Sequence, residues 1–317
     1  MPYNVEAEFL SSLNSPHTRK SYESDIKHFF SYCEIKDYPL DVTLITREHA
    51  LSFKNALGEL GGRDGEPCAP YTIGRKLSAL KSYFTFLVQY RGLTANPFHH
   101  VNPPSRVVKN ERRVLEIAEI EDMIYQTESS KSGPLHAALI ALNFYAILRL
   151  SEFINAKLED YFEEDGLYYL RVRAKGHKFL KKEVPTPASE RINIYLEWMR
   201  DNKRDMGPKN YLFRPTRNNH QKGDNLDKPL NPRTINRLLK KYALAAGINK
   251  NISSHSGRAS AITNYLNLSE ERNEVADIYG AKIMAGHSKI STTEIYDKKR
   301  RDDQQHGKLT DLYKKVS

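Results

Sequence analysis

Residues 284–296 read M-A-G-H-S-K-I-S-T-T-E-I-Y, so one short segment holds a histidine (His287), a run of hydroxyl side chains and a tyrosine (Tyr296). Two arginine-centred segments precede it, one around Arg149 and one at Ser254-His255-Ser256-Gly257-Arg258, with a basic turn at Lys175 between them. Breaking a phosphodiester needs an in-line nucleophile and cations for the non-bridging oxygens. It also needs an acid for the leaving oxygen and an acceptor for the nucleophile's proton. Arginine suits the cationic role because its fixed fork matches phosphate oxygens and it stays protonated. The set therefore reads as a phosphate site with a tyrosine nucleophile. The one acidic run, residues 159–165, reads as a solvated turn rather than a magnesium site. The cations are thus expected to be side chains, with no metal and no other cofactor.

Composition fits such a site. The chain has 317 residues, long enough for two domains, and its 39% hydrophobic and 28% charged residues are those of a globular protein. A net charge of +10 points to a polyanionic partner, since counterion release gives affinity without sequence reading. The two cysteines, Cys33 and Cys68, are not spaced as a metal site and imply no disulfide framework. The N-terminus lacks a charged-then-apolar signal pattern, and no apolar run is long enough to span a membrane. A cytoplasmic protein without membrane contact is expected.

The elements that must position these residues follow from periodicity. Ser15-Pro16-His17-Thr18 is a helix start, with Tyr22, Ile26, Phe29, Phe30 and Cys33 at helical spacing after it. A second helix starts at Thr46 as N-cap, with Ala50, Leu51, Phe53, Ala56, Leu57 and Leu60 as its apolar stripe. A third runs over 71–90 and ends at Gly92. It buries Ile73, Leu77, Leu80, Phe84 and Leu87 and presents Arg75, Ser78, Lys81 and Ser82 outward with Lys76 at the flank. Phosphate-seeking and hydrogen-bonding side chains share that face, so it is the expected DNA-facing surface. Asn96-Pro97 and Pro103-Pro104 then break the pattern, and residues 105–113 read S-R-V-V-K-N-E-R-R, the composition of a basic interdomain linker. The reading is a helical DNA-binding domain over 1–102, a linker over 103–113 and a second domain over 114–317.

The second domain is expected to be mainly helical with one small antiparallel sheet. Helices are expected over 118–126, 134–146, from about 148, over 189–202 with Ile192, Leu196 and Met199 inward, over 231–246 and in much of the chain after Ser254. Strands over 167–173 and up to 184 flank residues 174–178, which put Lys175 at a hairpin tip. Residues 214–228 have no periodicity and read as a polar loop.

The ordered set resembles the tyrosine recombinases, the family of phage integrases and of Xer-type and Cre-type enzymes. Ala146-Ile147-Leu148-Arg149-Leu150-Ser151-Glu152-Phe153 looks like the first arginine box, Ala174-Lys175-Gly176-His177-Lys178 like the lysine turn, and His255-Ser256-Gly257-Arg258 like the His-x-x-Arg box. Gly286-His287-Ser288 and residues 291–296 look like the terminal box. The N-terminal helices, with Arg75-Lys76-Leu77-Ser78, resemble the family's core-binding domain, so the likeness covers nearly the whole chain. Gly257 departs from the larger apolar residue usual between that histidine and arginine, and residues 264–282 look longer than in compact members.

The resemblance implies a two-domain DNA clamp and a site-specific recombinase acting as a homotetramer on double-stranded recombination sites, with no metal and no ATP. It implies that Tyr296 attacks the scissile phosphate to form a 3′-phosphotyrosyl link and that Arg149 and Arg258 hold the non-bridging oxygens. Lys175 would protonate the leaving 5′ oxygen, with Lys178 and Lys181 as rivals. His255 would assist proton transfer at the tyrosine, His287 would donate a hydrogen bond to the phosphate, and Glu152 would orient the site. A C-terminal stripe of Leu309, Leu312, Tyr313 and Val316 would dock on its own domain or on a neighbouring subunit. The chain starts almost directly with core-binding helices, which implies short, simple sites without a separate arm-site domain. Two other readings stay open at this level: relaxation of supercoils in the manner of a type IB topoisomerase, and a DNA-binding regulator that has lost catalysis. Accessory partners and the target sequence are not readable from the chain.

Overall fold

The computed structural model describes residues 3–61, 65–105, 114–173, 179–216, 226–249, 251–271 and 277–297. Lys175, His177 and Lys178, linker residues 106–113, the middle of the polar loop and the C-terminal stripe all lie outside the described residues. The chain divides into two compact units, Met1–Asn110 and Glu111–Ser317.

The first unit is four helices: α1 Tyr3–Ser12, α2 Pro16–Ile35, α3 Arg47–Glu59 and α4 Pro70–Arg91. Ser15 caps α2 by accepting from the Thr18 amide, with Pro16 at the first turn where no amide hydrogen is needed. Gly92, at φ 72°, ends α4 in the left-handed conformation. Phe29 lies at the centre of the core, edge-on to Phe53 and Phe98, and Ile73, Leu77, Leu80, Phe84 and Leu87 close it from α4. Two sequence expectations need amendment. Leu60 lies past the last turn of α3 and is 72% exposed rather than inward. Helix α1 precedes the expected first helix, and it is anchored by Phe9, whose ring meets Tyr83 edge-on at 5.3 Å.

The second unit is built on α6, Gly133–Tyr145, whose sequence is apolar on every face and is therefore wrapped on every side. Helices α5 (Ile117–Tyr125), α8 (Thr186–Asp201), α9 (Pro232–Ala245) and α10 (Ser254–Glu271) pack against it. The short α7, Leu150–Phe153, follows α6 directly, and α11 (Ile278–Ala285) packs on α10. Residues 291–297 form a last described helix, α12. The sheet has three antiparallel strands in the order β1 (Tyr161–Glu164), β2 (Leu167–Arg173) and β3 (Phe179–Val184). In its register Leu170 sits opposite Tyr161 on one side and Lys182 on the other.

The acidic run 159–165 is mostly not a turn. Leu158–Asp160 is one 3₁₀ turn and Tyr161–Glu164 is β1; only Asp165 and Gly166, at φ 54° and 77°, make the reversal. The tyrosines decide it: Tyr161 stacks on Tyr168 of β2 at 5.3 Å, a cross-strand pair that outweighs the low strand propensity of the acids. Helix α8 begins at Thr186, ahead of the expected start, because Pro187 fits its first turn. Tyr195 is fully buried there and stacks on Phe213, a packing role the periodicity reading left out.

Gly257, the departure in the His-x-x-Arg box, has a packing explanation. A Cβ there would lie 1.8 Å from the Asn143 amide nitrogen and 2.6 Å from the Asn143 carbonyl oxygen. Asn143 on α6 thus fills the space that a larger residue at 257 would take, and its buried amide atoms make no hydrogen bond. Gly257→Ala is expected to destabilise the chain by about 1–3 kcal/mol or more in urea melts. Adding Asn143→Ala should recover only part of that loss, because the carbonyl clash persists. Asn143→Leu is expected to be neutral or stabilising, because a buried unpaired amide costs about 1–3 kcal/mol. A strongly destabilised Asn143→Leu would contradict this view of the crossing.

Candidate active site

The site gathers around the C-terminal end of α11. Asp277 caps the helix start by accepting from the Gly280 amide at 2.6 Å. Gly286 ends it at φ 61°, its amide donating to Ile283 and the His287 amide to Lys282. This pair of bonds is the Schellman closure, which a residue with a Cβ makes only under strain. It leaves the carbonyls of residues 284–286 outside the closing bonds, and a helix C-terminus attracts cations.

Three cations from three other segments occupy these carbonyls. Arg149 Nη2 donates to Gly286 O at 3.3 Å. Arg258 Nη2 donates to Ala285 O, and its Nη1 to Ile147 O at 3.4 Å. Lys182 Nζ donates to Met284 O and, at 3.5 Å, to Ile283 O. The order of the chain explains why the arginines can meet there. Arg149 is the N-cap residue of α7, held by Glu152, whose carboxylate accepts from the Arg149 amide and from Nη1, both at 2.8 Å. Arg258 lies in the first turns of α10 and is 4% exposed. Glu152 also approaches Arg258 at 4.0 Å and is the one carboxylate in ion-pair contact with both arginines among the described residues.

His287 follows the cap. Its Nε2 lies 3.3 Å from Arg258 Nη2, which can only donate, so Nε2 accepts. Nδ1 therefore carries the hydrogen in the neutral ring and donates to Thr293 Oγ1 at 2.9 Å. Burial, then Arg258 and Arg149, push the imidazole down from 6.5 to about 4. Tyr296 on α12 lies parallel to the His287 ring, centroids 6.3 Å apart, and is buried to 8% exposure. Burial, and then the charge of Arg149, hold the Arg258 guanidinium below its ordinary pKa, while Glu152 and Tyr296 act the other way. Lys182 is also lowered, by burial first and by both arginines, against Glu152.

Of the residues singled out from sequence, Arg149, Glu152, Arg258, His287 and Tyr296 come together. His255 is exposed and lines one open groove with Arg149, Ser254 and Arg258. Lys181 pairs with Glu164 at 2.7 Å on the exposed side of the sheet. Lys182 was not singled out, although a signal was present: Leu180, Lys182 and Val184 share one file of β3, and Lys182 stands opposite the buried Leu170. A lysine in an inward file is anomalous.

In the first unit, Arg75 donates through Nη1 and Nη2 to the buried Asp25 of α2 and through Nη1 to Ser21 at 2.6 Å. Lys76 meets the same carboxylate at 3.4 Å and His28 at 3.0 Å. Ser78 is exposed and donates to Gly74 O; Lys81 is exposed and donates to His99 O at 3.0 Å; Ser82 is half-buried. Among the described residues, no helix is long and apolar enough to cross a membrane.

A mainly helical chain that converges two guanidinium forks beside a buried phenol can hold a phosphodiester and present a nucleophile to it. The phage integrase family model matches residues 113–302, and that of the phage integrase N-terminal SAM-like domain matches residues 8–90. The chain belongs to the phage integrase family and is a tyrosine recombinase family member. It is 29% identical over 286 residues to tyrosine recombinase XerC of Syntrophus aciditrophicus (strain SB), covering 89% of this chain and 87% of the relative. Tyrosine recombinase XerD of Listeria monocytogenes serovar 1/2a (strain ATCC BAA-679 / EGD-e) is 25% identical over 284 residues, with 89% and 88% covered. The fold is shared with the XerH site-specific recombinase bound to palindromic difH substrate in a post-cleavage complex, at TM-score 0.67, 16% identity and coverage of 93% and 80%. It is also shared with a lambda integrase(75-356) dimer bound to a COC′ core site, at TM-score 0.64, 18% identity and 92% coverage of each chain.

The electrostatics give a pH expectation. His287, and the half-buried His136 of α6, which burial pushes down to about 4, are both neutral in the fold. The unfolded chain takes up these protons as pH falls below 6.5 and the folded chain does not. Stability is therefore full above pH 6.5 and falls progressively until pH 4, where the folded imidazoles also protonate. Ring resonances of His287 followed by NMR should titrate near 4 in the free protein. A midpoint at the ordinary value would refute the burial of this ring beside the two arginines.

Proposed function

We propose that this tyrosine-type site-specific recombinase cleaves and rejoins DNA strands at paired sites through a 3′-phosphotyrosyl intermediate. The observation that carries the reading is the interlocked set Arg149, Glu152, Arg258, His287 and Tyr296 on one helix end, in a chain of this family.

In the proposed step the Tyr296 oxygen forms a bond to the scissile phosphorus and the bond from phosphorus to the 5′ oxygen breaks. The phenol proton passes to His255 in the adjoining groove, and Lys175 supplies a proton to the departing 5′ oxygen. Arg149 and Arg258 hold the non-bridging oxygens, supplying as side chains the charge a metal would otherwise provide. His287 changes role as the phosphate arrives. The incoming negative charge raises its pKa, so the ring gains a proton and donates from Nε2. A 5′ hydroxyl from a second strand then attacks the phosphotyrosine in the reverse sense. The bond energy is retained in the covalent link, so ligation needs no ATP.

Residues 1–102 are proposed as the core-binding domain, 103–113 as a linker along the phosphate backbone, and 114–317 as the catalytic domain, the two domains clamping one duplex. Asp25 holds Arg75 and Lys76 in fixed rotamers on α4, with Ser78, Lys81 and Ser82 along the same helix. The fold shared with XerH bound to its difH substrate and with lambda integrase bound to a COC′ core site supports a duplex DNA partner, and a homotetramer on DNA would bring two sites together.

Covalent trapping tests this reading. Nicked duplexes drawn from DNA flanking the protein's own gene are incubated with the chain in EDTA and resolved on a denaturing gel. Wild type should give a shifted protein–DNA band and Tyr296→Phe none. Tight binding to those duplexes without a covalent band would favour the silent binder instead. Removing residues 306–317 should abolish synapsis and leave binding to single sites intact.

A further inference from the structure

Lys182 belongs to none of the roles above, yet it is the third cation on the α11 terminus. It reaches there from β3, the strand that follows residues 174–178. Its side chain runs along the inward file of the sheet, and its ammonium group is half-buried rather than solvated. Its hydrogen bonds go to the carbonyls of Ile283 and Met284. Those two residues immediately precede the pair whose carbonyls receive Arg258 and Arg149.

A lysine in such a place carries a desolvation penalty that a solvent-facing residue would avoid. What offsets it is the outward carbonyls of a helix end and the carboxylate of Glu152. The same carboxylate binds Arg149 and lies 4.0 Å from Arg258, so the three cations share one counter-charge. The lysine bonds tie the sheet to α11. The arginine bonds tie α11 to the α6–α7 junction and to α10. Without Lys182, the Met284 carbonyl loses its charged partner, Ile283 O keeps only the Gly286 amide, and the Gly286-His287 turn loses its brace on the sheet side.

We propose that Lys182 is a positioning residue: it fixes the last turn of α11 against β3, and through that turn sets the reach of Arg149, Arg258 and His287 toward the phosphate. This rests on the phosphotyrosyl reading of the same site. It assigns Lys182 no proton transfer, which separates it from a leaving-group acid.

The test measures single-turnover cleavage at saturating nicked DNA by the full chain, with wild type, Lys182→Met and Lys182→Arg. Binding of the same duplex and thermal melting are followed in parallel. Lys182→Met should lower the cleavage rate by roughly tenfold to a hundredfold with DNA affinity unchanged, since small displacements of reacting groups have effects of that size. Lys182→Arg, which can still reach the carbonyls, should restore most of the rate. A second substrate carries sulfur at the bridging 5′ position, a leaving group that needs no proton. The Lys182→Met defect should persist on it. Full recovery on the sulfur substrate would overturn the proposal by making Lys182 the acid. An unchanged rate in Lys182→Met, with or without a lower melting temperature, would overturn it by making the lysine merely structural. No adduct from wild type would instead remove the underlying phosphotyrosyl reading, which Tyr296→Phe checks separately. If Lys182→Met fails to fold, Lys182→Arg together with Lys182→Gln carries the same comparison.

Discussion

In the second unit one helix end draws the distant segments together. The closing bonds of α11 leave the carbonyls of Met284, Ala285 and Gly286 outside them, and cations from β3, from α10 and from the α6–α7 junction take these three. Each of these bonds is charge-assisted on the donor side, which makes it stronger than a neutral pair. Gly286 makes the arrangement possible, because the left-handed closure turns the chain so that His287 follows directly beside Arg258. Segments far apart in sequence are thereby held to one point.

That arrangement is well satisfied geometrically and left unbalanced in charge. Among the described residues two arginines and a lysine face one carboxylate, Glu152, and burial is the first cause that lowers the pKa of Arg258 and Lys182. A phosphate entering there would supply the missing negative charge to donors already oriented, which is the condition under which electrostatic stabilisation favours a transition state. The neutral His287 belongs to the same balance: burial first, and then the charges of Arg258 and Arg149, depress its pKa. The buried Asp25 beneath Arg75 and Lys76 repeats the device in the first unit, a carboxylate orienting cations from within.

Much of this was legible in the chain. Helix limits followed from local chemistry, as at Ser15-Pro16 and Gly92, because caps and stops act through neighbouring residues. The association of Arg149, Arg258, His287 and Tyr296 was readable only as an ordered set of boxes, since no local pattern says that segments so far apart share a helix end. Lys182 escaped for a related reason. Its partners are backbone carbonyls, which carry no residue signature, and only the inward file of β3 marked it. Strand β1 was hidden by its acids, whose weak strand preference is overridden by the stacking of Tyr161 on Tyr168. Asn143 and Gly257 are each ambiguous alone and become intelligible as one crossing.

The central claim is that fixed donor geometry, rather than positive charge, makes this helix end a catalytic site. Arg258→Lys tests it most directly, because lysine keeps the charge and loses the fork that bonds Ala285, Ile147 and His287 together. The measurement is the rate of covalent adduct formation on nicked duplex, beside DNA affinity. The account predicts that Arg258→Lys binds DNA as wild type does and loses cleavage about a hundredfold or more, as Arg258→Ala does. An Arg258→Lys protein that cleaves near the wild-type rate would contradict it.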